Sequence, residues 1–199
     1  MQDTGPLTEL GMRDRKKART REAIRTAALD LFEEQGFEHT TVDQICRRAD
    51  VAHRTFFRYY ATKEALLFGR AFGQVILDAF AEAPADLGLW EALSHAMAVS
   101  DGRLEESAEH TARRRRLRRD LLEVRSVRDY ALILVDTFGR QASLIAAERI
   151  GADPQTDLRP WALGAMLSGM LQRHLLVDSE TGRLTAWAEA YREVLRPGR

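Results

Sequence analysis

HRTFFRYYATKE, residues His53–Glu64, crowds four aromatic and three basic residues into twelve positions. Neither a buried helix nor a fully solvated one suits that mixture. On a helix, Phe56 and Tyr60 are four apart and share a face. His53, Arg54, Thr55, Arg58 and Tyr59 are left to point outward, and none of them is acidic. Phe57 lies between the two faces. The spacing therefore predicts a short helix, about Ala52 to Tyr59, anchored by its rings and showing its cations.

The residues before it supply what the rings would pack on. Ile24, Ala27, Ala28, Leu31 and Phe32 form one apolar stripe, which predicts a helix from about Lys16 to Gln35. Gly36 suits the left-handed end of that helix, and Phe37 can fold back onto the stripe. TTVDQ follows, with Thr41 as an N-cap and Gln44 placed to reach back to it. Val42, Ile45, Cys46 and Ala49 line the next short helix, and Asp50-Val51-Ala52 breaks it. A supporting helix followed by two short helices across a tight turn is a helix-turn-helix, whose last helix enters the major groove of DNA. Thr41 is placed to offer its hydroxyl and nearby N–H groups to a phosphate, as is Lys63 at the start of the next helix. Arg54 suits a bidentate guanine contact.

Charge agrees with this reading. Met12–Glu64 carries 12 Lys+Arg against 9 Asp+Glu, whereas the chain from Ala65 carries 18 against 19. The excess sits in RDRKKARTR, Arg13–Arg21, so an anionic partner is expected at the front end. Other classes fit poorly. The five histidines (His39, His53, His95, His110 and His174) form no metal-ligating pattern, and there is no phosphate loop or nucleophile elbow, so no enzyme, metal or cofactor is expected. Cys46 is the one cysteine and reads as a small core residue. With no long apolar run and no signal pattern, a soluble cytoplasmic protein is expected.

TREAIRTAALDLFEEQGFEHTTVDQICRRADVAHRTFFRYYATKEALL, within about Lys16–Leu67, resembles the DNA-binding domain of TetR-type transcriptional regulators nearly end to end. That resemblance implies DNA contacts from Thr41, His53, Arg54, Thr55, Phe57, Arg58, Tyr59 and Lys63. It also implies a homodimer on a palindromic operator, and repression. Three positions depart from the usual pattern: Asp50 replaces a turn Gly, Ala52 a capping Ser or Thr, and Phe57 a common Tyr. These bear on affinity, not on fold.

The whole chain reads as all-α. Residues 1–15 are expected to be a flexible basic tail, 16–72 the helix-turn-helix domain, and 73–199 a helical ligand-binding and dimerisation domain. A long helix capped by Thr62 would cross the boundary near Phe72. Further helices are expected at about Leu87–Val99, Leu104–Val124, Ser126–Ile150, Asp157–Val177 and Glu180–Arg196, with Asp157 as a cap. WALGAMLSGML, Trp161–Leu171, is dense in small residues that let helices approach closely. With the final helix it suits a four-helix dimer interface.

RIGADPQTDLRPWALGAM, with LWEAL and the Arg-rich helix, resembles the sensor domain of the mycofactocin-regulator type, which implies an acyl-CoA-like ligand. Trp90, Met97, Leu134, Phe138, Met166, Met170 and His174 are the candidate lining of an apolar tunnel for it. In RRRRLRR, Arg113–Arg119, most arginines are expected to be solvated or paired with Glu105, Glu106, Glu109, Asp120 and Glu123, leaving one or two for a ligand phosphate. The competing reading is a DNA-binding dimer governed by a protein partner, with no small-molecule ligand.

Overall fold

The computed structural model describes residues 5–68, 71–102, 108–176 and 184–195. Among the described residues every regular element is a helix: α1 Gly5–Gln35, α2 Val42–Arg48, α3 His53–Tyr59, α4 Ala65–Phe68, α5 Ala71–Ala81, α6 Leu89–Gly102, α7 Ala108–Asp120, α8 Arg125–Ile150, α9 Arg159–Leu176 and α10 Leu184–Leu195. The chain divides into two compact units, Met1–Leu67 and Phe68–Arg199.

In the first unit the expected stripe of α1 is the core: Ile24, Ala27, Ala28, Leu31 and Phe32 are all buried, joined by Leu29. Helix α1 begins at Gly5, so much of the segment expected to be a tail is helical. Pro6 is tolerated in a first helical turn, and Leu, Glu, Met, Arg and Lys favour helix without needing an apolar stripe. Gly36, at φ +86°, ends α1 in a conformation that glycine adopts without a Cβ clash. Phe37 then packs back on Phe32, ring centroids 4.9 Å apart.

Thr41 caps α2 as the sequence indicates. Its hydroxyl accepts from the Gln44 backbone N–H at 3.2 Å, and its own N–H donates to Gln44 Oε1 at 2.7 Å. Helix α4 starts only at Ala65, so Thr62 is not its cap. The α1 and α2 surfaces are tied by Arg48, which donates to both carboxylate oxygens of Glu34 at 2.9 and 2.6 Å. That pairing holds the Glu34 carboxyl below its usual range.

The second unit is built around the α8–α9 pair. Gly139 and Gly164 meet where these helices cross. A Cβ on Gly164 would lie 2.0 Å from Ser143 Oγ and 2.3 Å from the Gly139 carbonyl oxygen. The small residues of this part of α9 thus serve an intramolecular contact first. Helix α8 ends at Gly151, φ +60°, where the Ala152 N–H reaches the Ala147 carbonyl at 2.9 Å. Asp157 Oδ1 accepts the Arg159 N–H at 2.9 Å, so it caps α9 from two residues before the helix. The Arg159 side chain hydrogen-bonds the same carboxyl and lowers its pKa.

Two side chains cap helix ends from a distance. Arg149 donates to the carbonyls of Phe80, Ala83 and Pro84 at 3.3, 2.8 and 2.8 Å, placing a cation at the C-terminus of α5. Asp101 accepts from the N–H groups of Leu184 and Thr185, both at 3.0 Å, and from the Thr185 hydroxyl at 2.9 Å. A carboxylate thereby satisfies the first turn of α10.

In α7, Arg114 and Arg118 lie one turn apart and are both buried, while Arg116 and Arg119 are exposed. The Arg118 guanidinium sits 5.8 Å from the Phe68 ring centroid. Glu123 pairs with Arg128 of α8 at 3.0 Å. Leu104, Glu105, Glu106, Val177, Glu180 and Arg196, which figure in the expected helix ends and ion pairs, lie outside the described residues. Among the described residues no helix is long and apolar enough to cross a membrane.

Candidate nucleic-acid interface

The turn between α2 and α3 decides the site's shape. Asp50 adopts φ +52°, the conformation for which the sequence would ordinarily use glycine. Aspartate tolerates it better than most residues. Val51 N–H donates to the Cys46 carbonyl at 3.0 Å and closes the turn. Ala52 caps α3 with extended backbone and no side-chain hydrogen bond, as its missing hydroxyl dictates.

Helix α3 then sorts its side chains by face. Phe56 and Tyr60 are buried, 0 % and 4 % exposed, with ring centroids 5.9 Å apart. The Tyr60 hydroxyl donates to the Arg21 carbonyl at 3.5 Å, fixing the end of α3 against α1. His53, Arg54, Phe57 and Arg58 are exposed, and Thr55 and Tyr59 half-buried. Arg54 makes no ion pair or hydrogen bond among the described residues, so its five N–H donors face solvent. Arg58 lies 5.0 Å from the Tyr59 ring centroid, and Arg21 of α1 lies 5.8 Å from the same ring. Phe57, 54 % exposed, packs edge-on against Phe56 at 5.4 Å.

Two neighbours are not evident from sequence. His53 Nε2 contacts Asp43 Oδ1 of α2, holding the first side chain of α3 beside the α2 N-terminus. Lys63 turns back on its own unit, its ammonium donating to the Phe37 and Thr40 carbonyls at 2.7 and 3.0 Å and lying 4.3 Å from the Phe37 ring centroid. It braces the loop that presents Thr41. The signal for this was the flexible lysine stem, which reaches carbonyls that a helix register does not reveal. Cys46 lies at the floor of an open depression of about 620 Å³ between α2 and α3. Burial, then Asp43, pushes its thiol pKa up, which keeps it protonated and unreactive.

A compact three-helix unit with a capped α2, a tight turn and a cationic α3 surface is a helix-turn-helix. Residues 24–69 match the family described as bacterial regulatory proteins, tetR family. The chain is also 36% identical over 203 residues to the HTH-type transcriptional regulator TcmR of Streptomyces glaucescens, covering 94% of this chain and 87% of that one. The chain belongs to the TetR family. The putative mycofactocin biosynthesis transcriptional regulator MftR of Mycobacterium tuberculosis is 30% identical, with 89% and 90% of the two chains covered. A solved transcriptional regulator from Aquifex aeolicus aligns at 21% identity and TM-score 0.47, over 89% of this chain and 98% of that one. As a TetR-family member the protein is a DNA-binding transcriptional regulator and not an enzyme. Among the described residues no cluster of three or more metal-ligating side chains occurs.

The residues expected to line a ligand tunnel are spread over three helices of the second unit. Met97 of α6 and Met170 of α9 are fully buried, and His174 is nearly so. Phe138 of α8 seats its ring where a Cβ on Gly73 would lie, so it packs on α5. Trp90 meets Tyr191 of α10, centroids 6.1 Å apart. Leu134 and Met166 are half-buried. Burial, with the charges of Arg118 and Arg115, lowers the His174 pKa to about 4 against the opposing pull of Asp101.

Proposed function

We propose that the protein is a ligand-responsive repressor that binds a palindromic operator as a homodimer in the cytoplasm and is released by a small hydrophobic effector. The observation that carries the DNA part is the sorting of α3: Phe56 and Tyr60 inward, Arg54 and Arg58 outward. Arg54, Thr55 and His53 read base edges, while Thr41, Arg58, Tyr59 and Phe57 engage the sugar-phosphate backbone. Lys63 acts through the loop it braces.

Dimerisation through α9 and α10 is supported by the outward face of α9. There Trp161 is 40 % exposed beside exposed Ala162, Ala165 and Gly169, and Leu158, just before the helix, is 76 % exposed. Val194 of α10 is 80 % exposed. This face is separate from the glycine crossing with α8, so α9 carries small residues on two sides. Likeness to MftR and the apolar residues Met97, Phe138 and Met170 support a hydrophobic effector of acyl-CoA-like character. Effector binding shifts the population toward a conformer whose recognition helices no longer match the half-sites. A coupling of about 1–3 kcal/mol loosens the operator roughly five- to 150-fold.

The test is gel retardation of duplex fragments from beside the protein's own gene, with and without decanoyl-CoA. Retardation at low salt that weakens steeply with added salt, and release by the acyl-CoA, are the expected results. Absence of retardation at low salt contradicts the operator reading.

A further inference from the structure

Helices α6 and α10 are antiparallel along one seam. Trp90 meets Tyr191 at one end, and Asp101 holds the backbone of Leu184 and Thr185 at the other. Trp90, Ser94, Met97 and Asp101 recur at helical spacing on α6, as do Leu184, Trp187, Ala188 and Tyr191 on α10. Ser94 lies one turn from Trp90 toward Asp101, and Trp187 one turn from Tyr191 toward Leu184. The two therefore occupy the middle of the seam.

Three donors on this seam are buried and make no hydrogen bond: Trp90 Nε1, Ser94 Oγ and Trp187 Nε1. An unsatisfied buried donor is costly, and three along one helix–helix seam call for a common acceptor. The Asp101 carboxylate at the end of the seam accepts from the first turn of α10 and from none of the three. The neighbouring walls are apolar, with Met97, Leu93 and Leu184 buried.

We infer that the α6–α10 seam is the polar subsite of the effector and takes the oxygens of a hydrophobic carboxylate, with the Trp90 and Trp187 indole N–H groups and the Ser94 hydroxyl as its donors. This rests on the reading of the second unit as an effector-binding domain and names the end of the molecule it recognises. An indole N–H donates only, so two of the three groups select an acceptor. An ionised carboxylate only accepts, and its two oxygens offer about four lone-pair sites, enough for all three donors.

The seam holds two of the chain's three tryptophans, so intrinsic fluorescence reports on it directly. The experiment titrates the full-length protein with a panel of fatty and aromatic carboxylates. Decanoyl-CoA and decyltrimethylammonium are run beside them, on the wild type, Ser94→Ala and Trp187→Phe. At least one carboxylate is expected to quench saturably and the ammonium compound is not. Ser94→Ala weakens carboxylate binding about tenfold, while the melting temperature of the ligand-free protein stays level or rises, because the hydroxyl has no partner to lose. A merely structural serine gives the reverse, a lower melting temperature with unchanged affinity, and overturns the inference. So does a panel in which no carboxylate quenches, or in which the ammonium compound binds as well. If a carboxylate of the panel releases operator DNA equally from wild type and Ser94→Ala, the effector reading stands and the seam assignment falls. If a carboxylate binds with the stated Ser94 dependence but leaves operator binding unchanged, the seam assignment stands and the effector reading falls.

Discussion

Arg54 presents a planar fork of donors to solvent, and nothing else in the described fold needs it. Arg54→Ala is therefore expected to leave the thermal midpoint unchanged. Operator binding should weaken by about 1–3 kcal/mol, with specificity relaxed at one base pair of each half-site. Quantitative retardation on the native operator and on single-base variants checks this. His174 gives a second prediction through its lowered pKa. The unfolded chain binds a proton near pH 6.5 that the folded chain refuses until about pH 4, so stability falls as pH drops through that window. The loss approaches about 3 kcal/mol by the acid end. Urea midpoints of wild type and His174→Gln between pH 7 and pH 4.5 should converge as the pH falls if this is right. Much of this scale was legible in the sequence. The inward Phe56 and Tyr60, the Thr41–Gln44 box and the left-handed Asp50 follow from spacing and residue chemistry. The turning back of Lys63 and the Asp43–His53 contact do not, because each depends on where a different helix lies.

At the scale of elements, α3 is held by rings at one end and lacks a side-chain cap at the other. Ala52 already has the extended backbone of an N-cap, φ −71° and ψ 150°. Ala52→Ser is thus expected to stabilise the first unit by about 1 kcal/mol, read as a higher melting temperature with the same operator sequence preference. The α8–α9 crossing is the opposite case. Gly164→Ala forces a Cβ against Ser143 Oγ and the Gly139 carbonyl and should destabilise by about 1–3 kcal/mol. Gly169→Ala, whose nearest neighbour is the Tyr191 hydroxyl at 4.0 Å, should leave monomer stability unchanged. Comparing the two in denaturant separates the inner face of α9 from its outer one. Sequence showed that α9 is rich in small residues but not that they divide between an intramolecular crossing and an exposed face. Helix periodicity gives a face its composition and leaves its partner open. The start of α1 was hidden for a related reason: charged helix formers carry no apolar period to mark where the helix begins.

At the scale of the molecule, the two units answer different questions. The first has a motif whose residues name its geometry, so the family and the exposed cationic face of α3 could be read directly from Lys16 to Leu67. The second is a set of apolar stripes whose pairing, α8 with α9 and α6 with α10, only the fold supplies. The buried arginines of α7 and the unsatisfied donors of the α6–α10 seam became visible only once those helices were placed. The central claim is that paired α3 helices read a two-fold operator. Selection of bound duplexes from a random pool by the full-length protein tests it most directly. The expected product is an enriched palindrome with half-sites centred about 34–36 Å apart, lost from the Arg54→Ala selection at the base pair that Arg54 reads. A pool with no enrichment, or one yielding a single asymmetric site that Arg54→Ala binds equally well, would contradict the account.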